Sequence, residues 1–163
     1  MTIRSSLIAA TAAALLVAGC ASKGGANGTV VAEGGGATVT KGADGSTTVA
    51  TGDGTASISD GASVTMPAGL PAYPTAQGAQ GIDLADATPG TAAHTVSFTT
   101  ADPEEQVLGF YTQAAGRAGM RNIHREALGR TTRLMMEKGN EAVWVATRAT
   151  DGTTQVSVSS GPR

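Results

Sequence analysis

The chain has 163 residues, a formal net charge of −2, 40% hydrophobic but only 3% aromatic residues, and a single cysteine. One cysteine excludes an intramolecular disulfide framework, and the small, nearly balanced charge excludes the strongly basic footprint of a nucleic-acid binder. The aromatic residues Tyr73, Phe98, Phe110, Tyr111 and Trp144 lie between positions 73 and 144, so only that stretch has the large side chains to build a core.

The chain opens with one charge, Arg4, followed by an unbroken small and apolar run from Leu7 to Gly19. That pattern is the n-region and h-region of a secretory signal, and the run falls short of the roughly 20 apolar residues that a membrane span needs. The sole cysteine stands where the run stops. The junction Val17-Ala18-Gly19-Cys20 resembles the lipobox of bacterial lipoproteins. The resemblance implies cleavage between Gly19 and Cys20, a diacylglycerol on the Cys20 sulfur and an acyl chain on its new amino group. Two or three acyl chains on one residue hold a protein on a membrane far more firmly than the marginal binding of one chain. Ala21 follows Cys20 where lipoproteins kept in the inner membrane often have aspartate, which by the same resemblance implies the periplasmic face of the outer membrane.

From Ala21 to about Gly69 the sequence repeats a loose unit of alternating Thr, Ser, Val or Ile, broken by glycine-rich or Asp-Gly stretches such as Asp44-Gly45, Asp53-Gly54 and Asp60-Gly61. Alternation with Asp-Gly breaks predicts hairpins. Each unit offers only one or two aliphatic side chains, so two readings stay open: a β-meander with Val30, Val39, Val49, Ile58 and Val64 on one face, or a flexible spacer. Calcium-binding nonapeptide repeats need a glycine-aspartate frame from which Gly42-Ala43-Asp44-Gly45 and Gly52-Asp53-Gly54 depart.

Three prolines within eight residues, Pro67, Pro71 and Pro74, mark a boundary. A short strand is expected at Gln80–Leu84, and a half-buried strand at His94–Thr100, where Val96 and Phe98 alternate with polar residues. The next element is a helix: Asp102 is its expected N-cap, Pro103 fits the first turn, Glu105 completes a capping box, and Gly119 ends it. Its apolar face is Val107, Leu108, Tyr111, Ala114, Ala115 and Ala118. Strands are expected at Met120–Ala127, Thr131–Glu137, Ala142–Arg148 and Thr153–Ser159. They are joined by Gly129-Arg130, Gly139-Asn140 and Asp151-Gly152, connections short enough for an antiparallel meander.

The fold expectation is α+β: a two-layer sandwich of one helix on an antiparallel sheet, preceded by a Gly-rich β-meander or flexible arm. In domain terms this gives a signal peptide at 1–19, a Gly/Thr/Ser-rich arm at 20–69 and a small α/β domain at 70–163. Leu70-Pro71-Ala72-Tyr73-Pro74, the helix start Asp102-Pro103-Glu104-Glu105, the pair Phe110-Tyr111 and the following meander resemble an uncharacterised type of bacterial envelope domain. That likeness runs over Leu70–Ser159 and implies no catalytic residue.

A search for chemistry finds little. His94 and His124 lie in different expected strands, each placed on a wet face, with no second histidine or cysteine at ligand spacing; no metal site and no cofactor is expected. There is no Gly-x-Ser-x-Gly elbow and no Gly-Lys-Ser/Thr phosphate loop. Met135, Met136 and Trp144 are expected as core, or as the lining of an apolar groove between helix and sheet. Charge is uneven: Cys20 to Glu105 carries two lysines against nine acids, and Gln106 onward eight basic residues against four acids. The arginines are scattered, which leaves a weak preference for an anionic surface.

The functional expectation is a non-enzymatic binding or accessory module, held on the periplasmic side of the envelope. Its partners are the membrane, through lipid on Cys20, and an envelope protein or an anionic cell-wall or lipid surface, but no nucleic acid. The alternative is a small periplasmic hydrolase or a carrier of an apolar ligand.

Overall fold

The structure, a computed structural model, describes residues 29–34, 36–86 and 92–163. Gly19 and Cys20, with the expected signal segment, lie outside the described residues. Ten strands and one α-helix follow in chain order: β1 (Thr29–Gly34), β2 (Ala37–Lys41), β3 (Thr47–Thr51), β4 (Gly54–Asp60), β5 (Gln77–Asp86), β6 (Ala93–Thr100), α1 (Glu104–Arg117), β7 (Arg121–Leu128), β8 (Thr131–Lys138), β9 (Glu141–Thr150) and β10 (Thr153–Pro162). All ten strands form one sheet in the order β1-β2-β3-β4-β5-β6-β10-β9-β8-β7.

This corrects the expected two-layer sandwich with a separate arm. The repeats of the glycine-rich stretch are strands β1–β4, and β4 pairs with β5 from Gly54↔Asp86 to Asp60↔Gln80. The arm is therefore part of the sheet, and the sheet dominates a fold in which one helix covers only a portion. Turn chemistry explains why these weakly apolar strands form. Between β2 and β3, the Asp44 carboxylate accepts from the Ser46 amide at 3.0 Å and the Ser46 hydroxyl at 2.6 Å, and Gly45 supplies a φ of 86°. Those hydrogen bonds hold the Asp44 carboxyl below its usual range.

The helix starts and stops for local reasons. Glu104 and Glu105 occupy its positive end, and after Ala118 the chain turns left-handed at Gly119 (φ 71°). There the Met120 amide donates to the Ala115 carbonyl at 3.0 Å, and the buried Met120 side chain seals the end in the manner of a Schellman cap. The expected N-cap at Asp102 is corrected: Pro103 holds that position without a side-chain cap bond, and the Asp102 carboxylate faces elsewhere.

After β6 the chain crosses the sheet through α1 to the far edge, then returns as the meander β7-β8-β9-β10, which ends paired with β6. The core lies between α1 and the sheet. Val107, Leu108, Tyr111, Ala114 and Ala115 of the helix meet Val96, Phe98, Leu134, Met136, Val143, Val145, Val156 and Val158 of β6 and β8–β10. Tyr73 closes one end, stacked 5.9 Å from Phe98 and edge-on to Phe110 at 5.1 Å. Met136 is 1% exposed and fills the space where an apolar groove between helix and sheet was expected, whereas Met135 and Trp144 pair on the opposite face. Of the predicted valine ladder, Val39, Val49 and Ile58 share that opposite face, while the strand register turns Val30 to the helix side. Val64 likewise packs on the helix side, over Gly81.

A candidate binding groove on the open face of the sheet

The face of the sheet away from α1 carries no packed element among the described residues, and a depression of about 520 Å³ crosses β5, β6, β10, β9 and β8 there. Strand alternation sends Ser97 and Thr99 of β6, Gln155 and Ser157 of β10, and Arg148 of β9 to this side. On β5 alternation alone would split Gln77 from Gln80, because residues three apart face opposite ways. Gly78 resolves this: it adopts a φ of 60°, the register slips between Gln77 and Gln80, and both amides reach the open face opposite Thr99 and Ser97. The result is a shallow bed of amide- and hydroxyl-bearing side chains whose exposed surface is mostly their apolar stems, with the polar ends spaced along it.

Arg148 is the one charged side chain lining the groove among the described residues, where its guanidinium has no hydrogen-bond or ion-pair partner. A planar five-donor cation over neutral amides and hydroxyls suits a hydroxylated ligand that carries a carboxylate or another anion.

The histidines lie apart from this groove. His124 is exposed, with Nδ1 3.2 Å from the Asn122 carbonyl oxygen. His94 is not on a wet face as expected. It shares the helix side with Val96 and Phe98, and its Nδ1 lies 2.6 Å from an Asp83 carboxylate oxygen. Its Nε2 is sealed from solvent with no partner among the described residues. Ser160 stands directly opposite His94 in the register. A His–Asp pair beside a serine has the composition of a hydrolytic site, but the nitrogen that would take a nucleophile's proton is shut away. Among the described residues no three His, Cys, Asp or Glu side chains are grouped to hold a metal.

Two polar clusters are structural. The Asp102 carboxylate accepts from Thr75 Oγ1 (2.6 Å), Tyr73 Oη (3.0 Å) and Thr100 Oγ1 (3.4 Å), while its carbonyl accepts from Thr154 Oγ1 (2.7 Å). These bonds, that from Thr75 foremost, hold the Asp102 carboxyl below its usual range, and burial together with Asp102 pushes the Tyr73 phenol up to about 12. Glu105, expected in a capping box, instead takes Arg125 in a bidentate pair with both contacts at 2.6 Å, which joins α1 to β7. Beside that pair, Leu108, Gly109, Ile123 and Leu134 border a smaller crevice of about 440 Å³ at the sheet edge.

Residues 78–159, just over half of the chain, match the START domain-like family. The chain belongs to that family. No curated protein and no solved structure gives a match. The START domain-like segment runs from the Gly78 bulge to Ser159 and so holds β5–β10, α1 and all of the groove except Gln77. It lies within the Leu70–Ser159 stretch expected to be one uncharacterised domain, and it fits a ligand-binding module. Strands β1–β4 lie outside the match and widen its sheet through the β4–β5 pairing.

Sequence reasoning missed the groove because its side chains, Arg148 apart, are neutral and individually common. One signal was present, the glycine inside Gln77-Gly78-Ala79-Gln80, since glycine within a strand marks a bulge.

Proposed function

We propose that this START domain-like protein is a non-enzymatic binding module of the bacterial envelope, held on the membrane by lipid on Cys20, whose open-face groove takes an anionic, hydroxylated ligand such as the glycan of the cell wall. The observation that carries the reading is Arg148, unpaired among the described residues, in a bed of amide and hydroxyl side chains on the uncovered face of the sheet. The filled space beneath α1 supports a surface site over an enclosed one, and the sealed His94 Nε2 gives the hydrolase alternative no support. The anchor reading rests on Val17-Ala18-Gly19-Cys20, and among the described residues no helix is long and apolar enough to cross a membrane.

The test is cosedimentation of the mature chain, Cys20–Arg163, with purified peptidoglycan sacculi. The wild type binds, and Arg148→Ala, which removes one charge-assisted contact worth about 1.5 to 3 kcal/mol, weakens binding roughly 10- to 100-fold. Equal binding by the two proteins, or no binding by the wild type, refutes the assignment.

A further inference from the structure

The two faces of β2–β5 differ in chemistry. On the helix side the register presents Thr38, Thr40, Thr48, Ser57, Ser59 and Asp83, with Thr48 Oγ1 and Ser57 Oγ hydrogen-bonded at 2.9 Å. On the open face it aligns Val39, Val49, Ala56 and Leu84 in one row across neighbouring strands, and Ile58 beside Ile82 in the next. Ile58, Ile82 and Leu84 are 44%, 42% and 48% exposed. The row of Ile82 continues through Thr95 and Ser159 to Trp144 and Met135. A contiguous apolar band of this kind on an otherwise Thr- and Ser-rich sheet marks an interaction surface.

The chain itself limits what can cover the band. Eight residues separate Cys20 from Thr29, the first residue of β1, so the sheet edge lies at most about 30 Å from the anchoring residue. Strands β2–β5 follow β1 at steps of about 4.8 Å. The tether is therefore too short to act as a long spacer, and it keeps β1, with its exposed Val30 and Val31, and the band on the strands beyond it within about 50 Å of the anchoring residue. Trp144 adds a side chain of the type that settles at a membrane interface.

The geometry points to the apolar rows of β2–β5, continued to Trp144, as a face that docks on the surface of the bilayer that holds Cys20. This inference rests on the lipid-anchor reading. The groove lies on the same face, in the next rows along the strands, so Gln80 and Ser157 sit beside the seated band and the Gln77–Arg148 row is the part of the groove set farther from it.

The sole tryptophan and the sole cysteine make the test direct. The mature chain is coupled through Cys20 to a maleimide phospholipid in phosphatidylethanolamine–phosphatidylglycerol vesicles, which supplies the tether whether or not cells lipidate the residue. Trp144 emission is then compared with and without bromine on the acyl chains. The wild type loses about half its emission or more in brominated vesicles, and Ile82→Asp/Leu84→Asp, equally tethered and equally folded by circular dichroism, loses little. Equal emission in both vesicle types for the tethered wild type overturns the docking face. Quenching in coupled vesicles supports it even where palmitate labelling in cells fails, an outcome that would count against the natural anchor alone.

Discussion

Met135 and Met136 are adjacent in sequence and sit on opposite faces of β8, so truncating each in turn reads out which side of the sheet is filled. Met136 is 1% exposed and packs within the cluster that includes Tyr111, Val143 and Val158. Met136→Ala removes buried methylene and thioether groups and leaves a cavity in a close-packed core, at a cost of about 2 to 5 kcal/mol. For a chain of this size each kcal/mol lowers Tm by roughly 2 to 4 °C, so a loss of about 3 kcal/mol shifts the melt by roughly 6 to 12 °C. Met135 faces Trp144 on the open side and is only half-buried. Met135→Ala leaves no enclosed cavity and costs about 1 kcal/mol or less. Thermal and urea unfolding of the two variants, followed by circular dichroism, measures the difference. Equal destabilisation, or a larger loss for Met135→Ala, would refute the assignment of the filled side to α1.

Gly78→Ala places a side chain at a φ of 60° with nothing within 4 Å to clash, so the cost is backbone strain of about 1 to 2 kcal/mol and a Tm lower by roughly 2 to 8 °C; a raised Tm would mean a regular strand instead. The lowered pKa of Asp102 gives stability that is present above the ordinary carboxylate range and is lost as pH falls through the folded value. Asp102→Asn should therefore flatten part of the decline in Tm as pH falls through and below the ordinary carboxylate range, and an unchanged slope would remove Asp102 from the acid response. Cys20→Ala should leave an uncleaved precursor without palmitate label in cells, and persistent labelling would refute the anchor.

The meander was legible because each of its turns is written locally. Gly129, Gly139 and the pair Asp151-Gly152 all take positive φ, the last at 42° and 80°, as a two-residue hairpin turn requires. The helix face was legible for the same kind of reason: Val107, Leu108, Tyr111, Ala114 and Ala115 recur at helical spacing and are all buried. Non-local choices were not legible. Nothing in Thr55–Ser59 indicates that its partner is Ala85–Gly81 of the following segment rather than another repeat of its own kind. The sequence Asp102-Pro103-Glu104-Glu105 satisfies the local grammar of a capped helix, yet Tyr73 and Thr75, far back in the chain, compete successfully for the aspartate. His94 was misread for a local reason: it was expected on a wet face, although alternation with Val96 and Phe98 places it on the helix side.

The central claim is that the ligand lies on the open face, between β5 and β9. Ser157→Tyr sets a large side chain in the floor of the groove, at a half-buried position whose side chain points away from the core. Equilibrium cosedimentation of this variant with peptidoglycan sacculi is the most direct measurement. The account predicts binding lost with Tm unchanged, and native binding by a folded Ser157→Tyr protein would contradict it.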